Sequence, residues 1–118
     1  MYPIRDLIDQ MYARGVEASK EGKPTAWSMV NWWEGDPILK AMDVERVYPE
    51  NYGAVCAAMG AAPAFLDRCD SDGFPNHMCG YARNGLGYAS RMKELGEIPP
   101  EAPMGGMAKP ILLLSSGH

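Results

Sequence analysis

The fold is decided by Thr25-Ala26-Trp27-Ser28-Met29-Val30, which precedes the segment Gly35-Asp36-Pro37. The first stretch is a short apolar run, which is typical of a strand covered on both faces. The second stretch is a helix start, because Asp36 can cap free backbone amides and Pro37 fits the first helical position. A buried strand that leads into a helix predicts a parallel α/β sheet.

The flanking segments extend this alternation of strands and helices. Apolar side chains recur at helical spacing between Ile4 and Val16, which predicts an amphipathic helix within residues 1–22. Val44–Tyr48 is predicted to form a second strand, and Asn51 is placed to cap the next helix. The further predicted elements are helices at Gly53–Met59, Pro63–Cys69 and Cys79–Leu95, a turn at Asp70–Asn76, a loop at Ile98–Lys109 and a buried strand at Lys109–Ser116.

This order predicts a single α/β domain over residues 1–118, with an N-terminal helix at 1–22 and an α/β core at 23–118. We expect a three-layer sandwich with a parallel, Rossmann-like sheet. A buried strand is normally followed by a helix that covers it, so we expect the chain to be truncated after its closing strand. Neither a G-x-G-x-x-G segment nor a phosphate-binding lysine motif is present, which disfavours dinucleotide binding.

Composition narrows the class of function. The chain has 118 residues, of which 47% are apolar and 22% are charged, with a formal net charge of −4. The negative charge and the absence of a basic tract argue against nucleic acid or an acidic membrane as partner. No run of about 20 apolar residues and no signal-peptide pattern is present, so we expect a cytoplasmic protein.

The three cysteines are Cys56, Cys69 and Cys79, an odd number that favours reduced thiols or metal ligands over a disulfide framework. Cys79 is predicted to open a helix, where free amides and the helix dipole favour a thiolate. It is therefore either a metal ligand or an inert helix-start cysteine. The intervals of 12 and 9 residues between the cysteines match no zinc module.

Other side chains have two interpretations each. Glu50 and Asn51 follow the second strand, at the edge where α/β sheets bind ligands; the alternative for Asn51 is a plain helix cap. His77 is two residues from Cys79 and belongs either to the site or to a surface turn. The tryptophans either line a ligand cleft or pack in a core or a subunit contact; they are Trp27, Trp32 and Trp33.

Three motifs together resemble the 2-hydroxyacyl-CoA dehydratase and benzoyl-CoA reductase family. They are Tyr48-Pro49-Glu50-Asn51-Tyr52-Gly53-Ala54, Gly73-Phe74-Pro75, and Cys79-Gly80-Tyr81-Ala82-Arg83-Asn84 with Gly87. The likeness covers roughly Lys23–Gly117 and implies the N-terminal domain of a longer subunit that has a second α/β domain.

The resemblance implies an iron–sulfur subunit with a [4Fe–4S] cluster, for which Cys79 is a ligand. It places the Pro49-Glu50-Asn51 segment near the substrate or cluster pocket. His77 is a further candidate for this pocket because it is two residues from Cys79. The implied partners are a related second subunit in a heterodimer, an ATP-dependent iron–sulfur activator protein and an acyl-CoA substrate. The implied reaction is low-potential one-electron reduction of the acyl-CoA thioester, in either a dehydratase or a ring reductase.

One departure from the family pattern leaves alternatives open. Family members commonly have an upstream cysteine ligand, and Ile38–Met42 contains none. Cys56 is the candidate substitute ligand; otherwise one iron takes a different ligand, or the cluster has been lost. In the last case the chain is part of a non-catalytic scaffold subunit that holds a catalytic partner.

Overall fold

The computed structural model describes residues 3–30 and 35–115. Within these residues the helices are α1 (Pro3–Lys20), α2 (Gly35–Ala41), α3 (Pro49–Ala58), α4 (Ala62–Ser71) and α5 (Gly80–Leu95), and the strands are β1 (Thr25–Ser28), β2 (Glu45–Val47) and β3 (Leu112–Leu114). The chain divides into two compact units, one formed by Met1–Tyr48 with Met104–His118 and the other by Pro49–Pro103. The prediction of one domain over residues 1–118 stays a prediction.

The first unit contains a parallel sheet in the order β2-β1-β3. Val47 pairs with Trp27, and a Cβ added to Gly15 would lie 2.9 Å from the Val47 side chain, so α1 covers this face. Side chains alternate along a strand, so Ala26 points to the opposite face, where it is buried with Leu39 of α2. Helices therefore cover both faces of β1, which confirms the predicted α/β class and its parallel, Rossmann-like sheet.

The closing strand differs from its prediction. Lys109–Ser116 was expected to be buried, but Ile111 is 75% exposed and Leu113 is 68% exposed. Among the described residues of this strand, only Leu114 packs partly against the cluster of Ala26, Leu39 and Val44. The physical reason is position: β3 is the outermost strand on its side of the described sheet, so its apolar side chains lack the cover that β1 receives.

The second unit consists of three helices around an aromatic core. The Tyr88 ring lies 5.5 Å from the Tyr52 ring and 5.3 Å from the Phe65 ring, measured between centroids. Gly87 of α5 lies directly on the backbone of α4, because an added Cβ would lie only 1.8 Å from the Phe65 carbonyl oxygen. The absence of a side chain at Gly87 therefore sets the spacing between α4 and α5.

Helix ends show what the sequence predicted well and what it did not. Gly96 ends α5 with φ 74°, and its N–H donates to the Met92 carbonyl, which confirms the predicted stop. The start of α3 was predicted too late, because the helix begins at Pro49. Proline has no N–H and a fixed φ, which suit the first helical position. Asn51 consequently lies within the first turn and is not the N-cap.

Trp27 packs in the core of the first unit. It is 5% exposed, and its indole N–H donates to the Ala108 carbonyl oxygen at 2.8 Å. The core interpretation is therefore correct for Trp27, whereas Trp32 and Trp33 lie outside the described residues. None of the helices over residues 3–30 and 35–115 is long and apolar enough to cross a lipid bilayer.

Candidate functional site

Cys79 is an exposed thiol at the start of a long helix. It is the N-cap residue of α5, with φ −52° and ψ 130°, and its carbonyl oxygen accepts the Arg83 N–H at 2.9 Å. Its side chain makes no capping hydrogen bond, so the sulfur is not used to cap the backbone amides of the helix. An accessible cysteine at a helix N-terminus can bind a metal or act as a nucleophile.

The N-terminal halves of α3 and α5 pack against each other within the second unit. A Cβ on Gly53 would lie 3.0 Å from the Tyr81 ring, and a Cβ on Gly85 would lie 3.9 Å from Pro49. These contacts run in opposite order along the two helices, so α3 and α5 are antiparallel here. Cys79 precedes Tyr81 and therefore lies beyond the Gly53 end of this contact.

The three predicted pocket residues lie on neighbouring segments of the second unit. Glu50 is half-buried and Asn51 is exposed, both in the first turn of α3. His77 is exposed in the turn that precedes Cys79. Because α3 and α5 run antiparallel, the end of α3 that carries Glu50 is displaced from Cys79 along the helix axis. The second unit therefore brings the two helices together but does not show one pocket around Cys79 and the three predicted residues.

Cys56 and Cys69 are chemically different from Cys79. Both are fully buried, Cys56 on α3 and Cys69 on α4. Burial raises the pKa of the Cys56 thiol, and the adjacent side chains of Asn84 and Tyr52 offset part of that effect. Burial likewise raises the pKa of the Cys69 thiol, and the positive charge of Arg83 offsets part of that rise. Both cysteines are thus held as neutral thiols at neutral pH.

Two residues of the second unit were not singled out from the sequence. Asn84 is 2% exposed, and neither atom of its amide has a hydrogen-bond partner in the part of the chain that the structure describes. Arg83 donates from Nη2 to Asp70 Oδ1 at 2.6 Å, which ties the start of α5 to the end of α4. The available signal was their place in the Cys79–Asn84 motif, but only the structure shows that Asn84 is buried.

A four-iron cluster fits these residues only in part. Cys79 has the exposure and the donor atom that an iron ligand needs. The buried, neutral Cys56 does not fit as the second ligand in this conformation. Over residues 3–30 and 35–115 no group of three or more His, Cys, Asp or Glu side chains is arranged to hold a metal ion. These residues therefore offer one fitting ligand and not a complete cluster site.

The fold and the site together define a parallel α/β protein that presents one accessible cysteine at a helix start. No protein-family model matches the sequence.

The sequence is similar to three curated proteins. The (R)-2-hydroxyisocaproyl-CoA dehydratase alpha subunit of Clostridioides difficile is 31% identical over 84 residues. The (R)-phenyllactyl-CoA dehydratase alpha subunit of Clostridium sporogenes is 32% identical over 83 residues. The (R)-2-hydroxyglutaryl-CoA dehydratase subunit alpha of Acidaminococcus fermentans is 29% identical over 87 residues.

The matches cover most of this chain and a small part of each relative. They include 71%, 70% and 74% of the chain but only 20%, 20% and 18% of the relatives. This confirms the resemblance found in the sequence: the chain belongs to the 2-hydroxyacyl-CoA dehydratase family as a partial match. It spans about one fifth of the length of these curated relatives.

Proposed function

We propose that this chain is part of an iron–sulfur subunit of a radical-type 2-hydroxyacyl-CoA dehydratase. The observation that carries the proposal is the exposed Cys79 at the N-cap of α5, in a chain whose curated relatives are dehydratase alpha subunits. All three relatives carry dehydratase names, which favours dehydration over the ring reduction of a benzoyl-CoA reductase.

Cys79 is the proposed ligand from this chain to a [4Fe–4S] cluster. When bound, such a cluster supplies a low-potential electron for reduction of an acyl-CoA thioester. The cysteine is suited to this role because its thiol is accessible at the N-cap of α5 and makes no capping hydrogen bond. The remaining ligands have to come from outside the described residues, since the other two cysteines are buried.

Glu50, Asn51 and His77 are the proposed pocket residues. Glu50 and Asn51 lie in the first turn of α3, where the helix dipole and free amides favour an anionic group of a bound substrate. His77 is exposed in the turn before Cys79, where it can donate a hydrogen bond to the substrate or to a cluster sulfur. These residues would bind and orient a thioester.

The proposed partners follow from the names of the relatives. Those proteins are alpha subunits, so we propose a related second subunit that forms a heterodimer with the protein containing this chain. An ATP-dependent iron–sulfur activator and an acyl-CoA substrate complete the proposed system, and we propose a cytoplasmic location for it.

The second candidate function is a scaffold subunit that has lost its cluster. The burial and raised pKa of Cys56 favour this candidate, because that cysteine does not replace the missing upstream ligand in the present conformation. Such a subunit would keep the fold and the partner contact without binding iron.

A chimeric subunit tests both candidates. The chain replaces the matching fifth of the C. difficile alpha subunit, and the chimera is produced anaerobically with that subunit's own partner. Iron and sulfide content and the EPR spectrum are measured for the parent chimera, for Cys79→Ala and for Cys69→Ala. Cys69→Ala is the matched control, because it removes a buried thiol from the same helical unit.

We expect about four irons per chimeric subunit in the parent and in Cys69→Ala, and fewer in Cys79→Ala. With the ATP-dependent activator, ATP and a reductant supplied, the parent should then convert a 2-hydroxyacyl-CoA to the enoyl-CoA and leave benzoyl-CoA unchanged. Equal iron in the parent and Cys79→Ala would refute the ligand role. A folded, heterodimeric parent without iron would establish the scaffold function instead.

A further inference from the structure

The segment that leads into Cys79 has little cover from the rest of the second unit. Residues 71–77 are all exposed, and so are Cys79 and Gly80. The Gly73 N–H donates to the Asp70 carbonyl oxygen, a contact that ends α4 without reaching α5. Burial therefore does not fix the position of Cys79, and the contacts that hold it come from the first turn of α5.

Arg83 links this first turn to α4. Its backbone N–H donates to the Cys79 carbonyl oxygen at 2.9 Å, which closes the first turn of α5 on Cys79. Its guanidinium donates from Nη2 to Asp70 Oδ1 at 2.6 Å, and the Arg83 side chain is only 15% exposed. One residue thus connects the backbone of Cys79 to the end of α4.

We propose that Asp70 and Arg83 are positioning residues for the Cys79 thiol. The ion pair holds the first turn of α5 against α4, and the hydrogen bond from the Arg83 N–H passes this restraint to the backbone of Cys79. A short, charge-assisted hydrogen bond from a mostly covered guanidinium fixes both partners in one geometry. Use of the positioned thiol as an iron ligand rests on the proposed function, whereas its positioning does not.

A second ion pair between the same two helices provides a matched comparison. Arg68 of α4 donates from Nη1 to Glu94 Oε2 of α5 at 2.6 Å, the same N···O distance as in the Asp70–Arg83 pair. Glu94 and Asp70 are also exposed to a similar extent. Glu94 lies in the last turn of α5, at the opposite end from Cys79. Loss of either carboxylate should weaken the α4–α5 contact, but only loss of Asp70 should release Cys79.

A nitroxide spin label on Cys79 measures how firmly the thiol is held. The 118-residue chain is labelled under native conditions, in which the buried Cys56 and Cys69 are protected, and mass spectrometry verifies one label per chain. The EPR line shape is recorded without iron, so its outcome is independent of whether a cluster binds. The variants compared with the parent are Asp70→Ala, Asp70→Asn, Asp70→Glu, Arg83→Ala, the double variant Asp70→Ala/Arg83→Ala, and Glu94→Ala.

We expect the mobile fraction of the spectrum to rise about two- to fivefold in Asp70→Ala, the factor by which a partly exposed ion pair shifts a local equilibrium. Asp70→Asn removes the charge at nearly constant shape and should act in the same direction. Arg83→Ala should match Asp70→Ala, and the double variant should be no more mobile than either single variant. Asp70→Glu keeps the carboxylate and should restore most of the order.

The Glu94→Ala variant separates positioning from general loosening of the helix pair. It should lower the Tm about as much as Asp70→Ala but leave the line shape of the Cys79 label unchanged. Far-UV circular dichroism verifies that each variant retains its helices.

Three results would overturn the positioning role. One is an unchanged line shape in both Asp70→Ala and Asp70→Asn, which would leave the contact between Tyr81 and Gly53 as the anchor of the first turn. Another is an equal rise in mobility in Glu94→Ala. The third is a double variant more mobile than both single variants, because Asp70 and Arg83 would then act separately.

Discussion

Replacing Gly87 with alanine tests the packing of the second unit at its closest point. The ideal Cβ would lie 1.8 Å from the Phe65 carbonyl oxygen and 2.7 Å from its carbonyl carbon. Both atoms belong to the α4 backbone, so no side-chain rotation relieves the clash. α4 and α5 must separate for the methyl group to fit.

The expected magnitude combines two opposing effects. Overpacking of a well-packed interior costs about 1–3 kcal/mol, and a clash with backbone should reach the upper end of that range. Alanine is favoured over glycine inside a helix by about 0.8–1 kcal/mol, which offsets part of the cost. We therefore expect Gly87→Ala to lower the free energy of unfolding by about 2 kcal/mol, and to lower the Tm by roughly 5–15 °C for a domain of this size.

Urea and thermal unfolding followed by circular dichroism measure this change. Gly80→Ala is the matched control, because it lies in the same helix and an added Cβ meets no atom within 4 Å. It should be neutral or slightly stabilising. A Gly87→Ala variant as stable as Gly80→Ala would show that α4 and α5 do not approach as described, and would refute the argument from Gly87.

Three other predictions follow from the second unit. Iodoacetamide should alkylate Cys79 in the folded chain, whereas the buried Cys56 and Cys69 should react only in urea. Mass mapping of the labelled peptides measures this difference. Rapid labelling of Cys56 in the folded chain would contradict its burial. Tyr52→Phe removes the hydroxyl that donates to the Pro103 carbonyl at 2.6 Å and should lower the free energy of unfolding by about 1 kcal/mol, measured by urea unfolding. Hydrogen bonds from Arg68 and Arg91 lower the pKa of Glu94 from its ordinary value of 4.5. The ionised Glu94 therefore stabilises the fold above pH 4.5, and this stabilisation is lost as the pH falls through the lower pKa of the folded state. Glu94→Gln should therefore weaken the acid dependence of the Tm, and an unchanged pH profile would argue against these ion pairs.

The sequence by itself determined the kinds of elements and their order. The short uncharged run that begins at Thr25 identified the central strand, because a strand covered on both faces does not need the polar alternation of a half-exposed strand. Gly96 identified the end of α5, because a left-handed residue at that position favours glycine. Three motifs together also identified the family, since their order along the chain is specific; they are Tyr48–Ala54, Gly73–Pro75 and Cys79–Asn84. These signals are local, so they can be read without knowing the tertiary contacts.

Only the tertiary structure decided which side chains are covered. Cys56 and Cys79 are both cysteines of helical segments, yet one is fully buried and the other is exposed, because burial depends on which neighbouring helix packs against each position. The same holds for β3: its leucines have the composition of a core strand, but its place at the outside of the described sheet leaves them exposed. Gly87 likewise gave no local sign of its contact with Phe65. Residue type sets the preference for burial, whereas contacts between segments distant in sequence set its outcome.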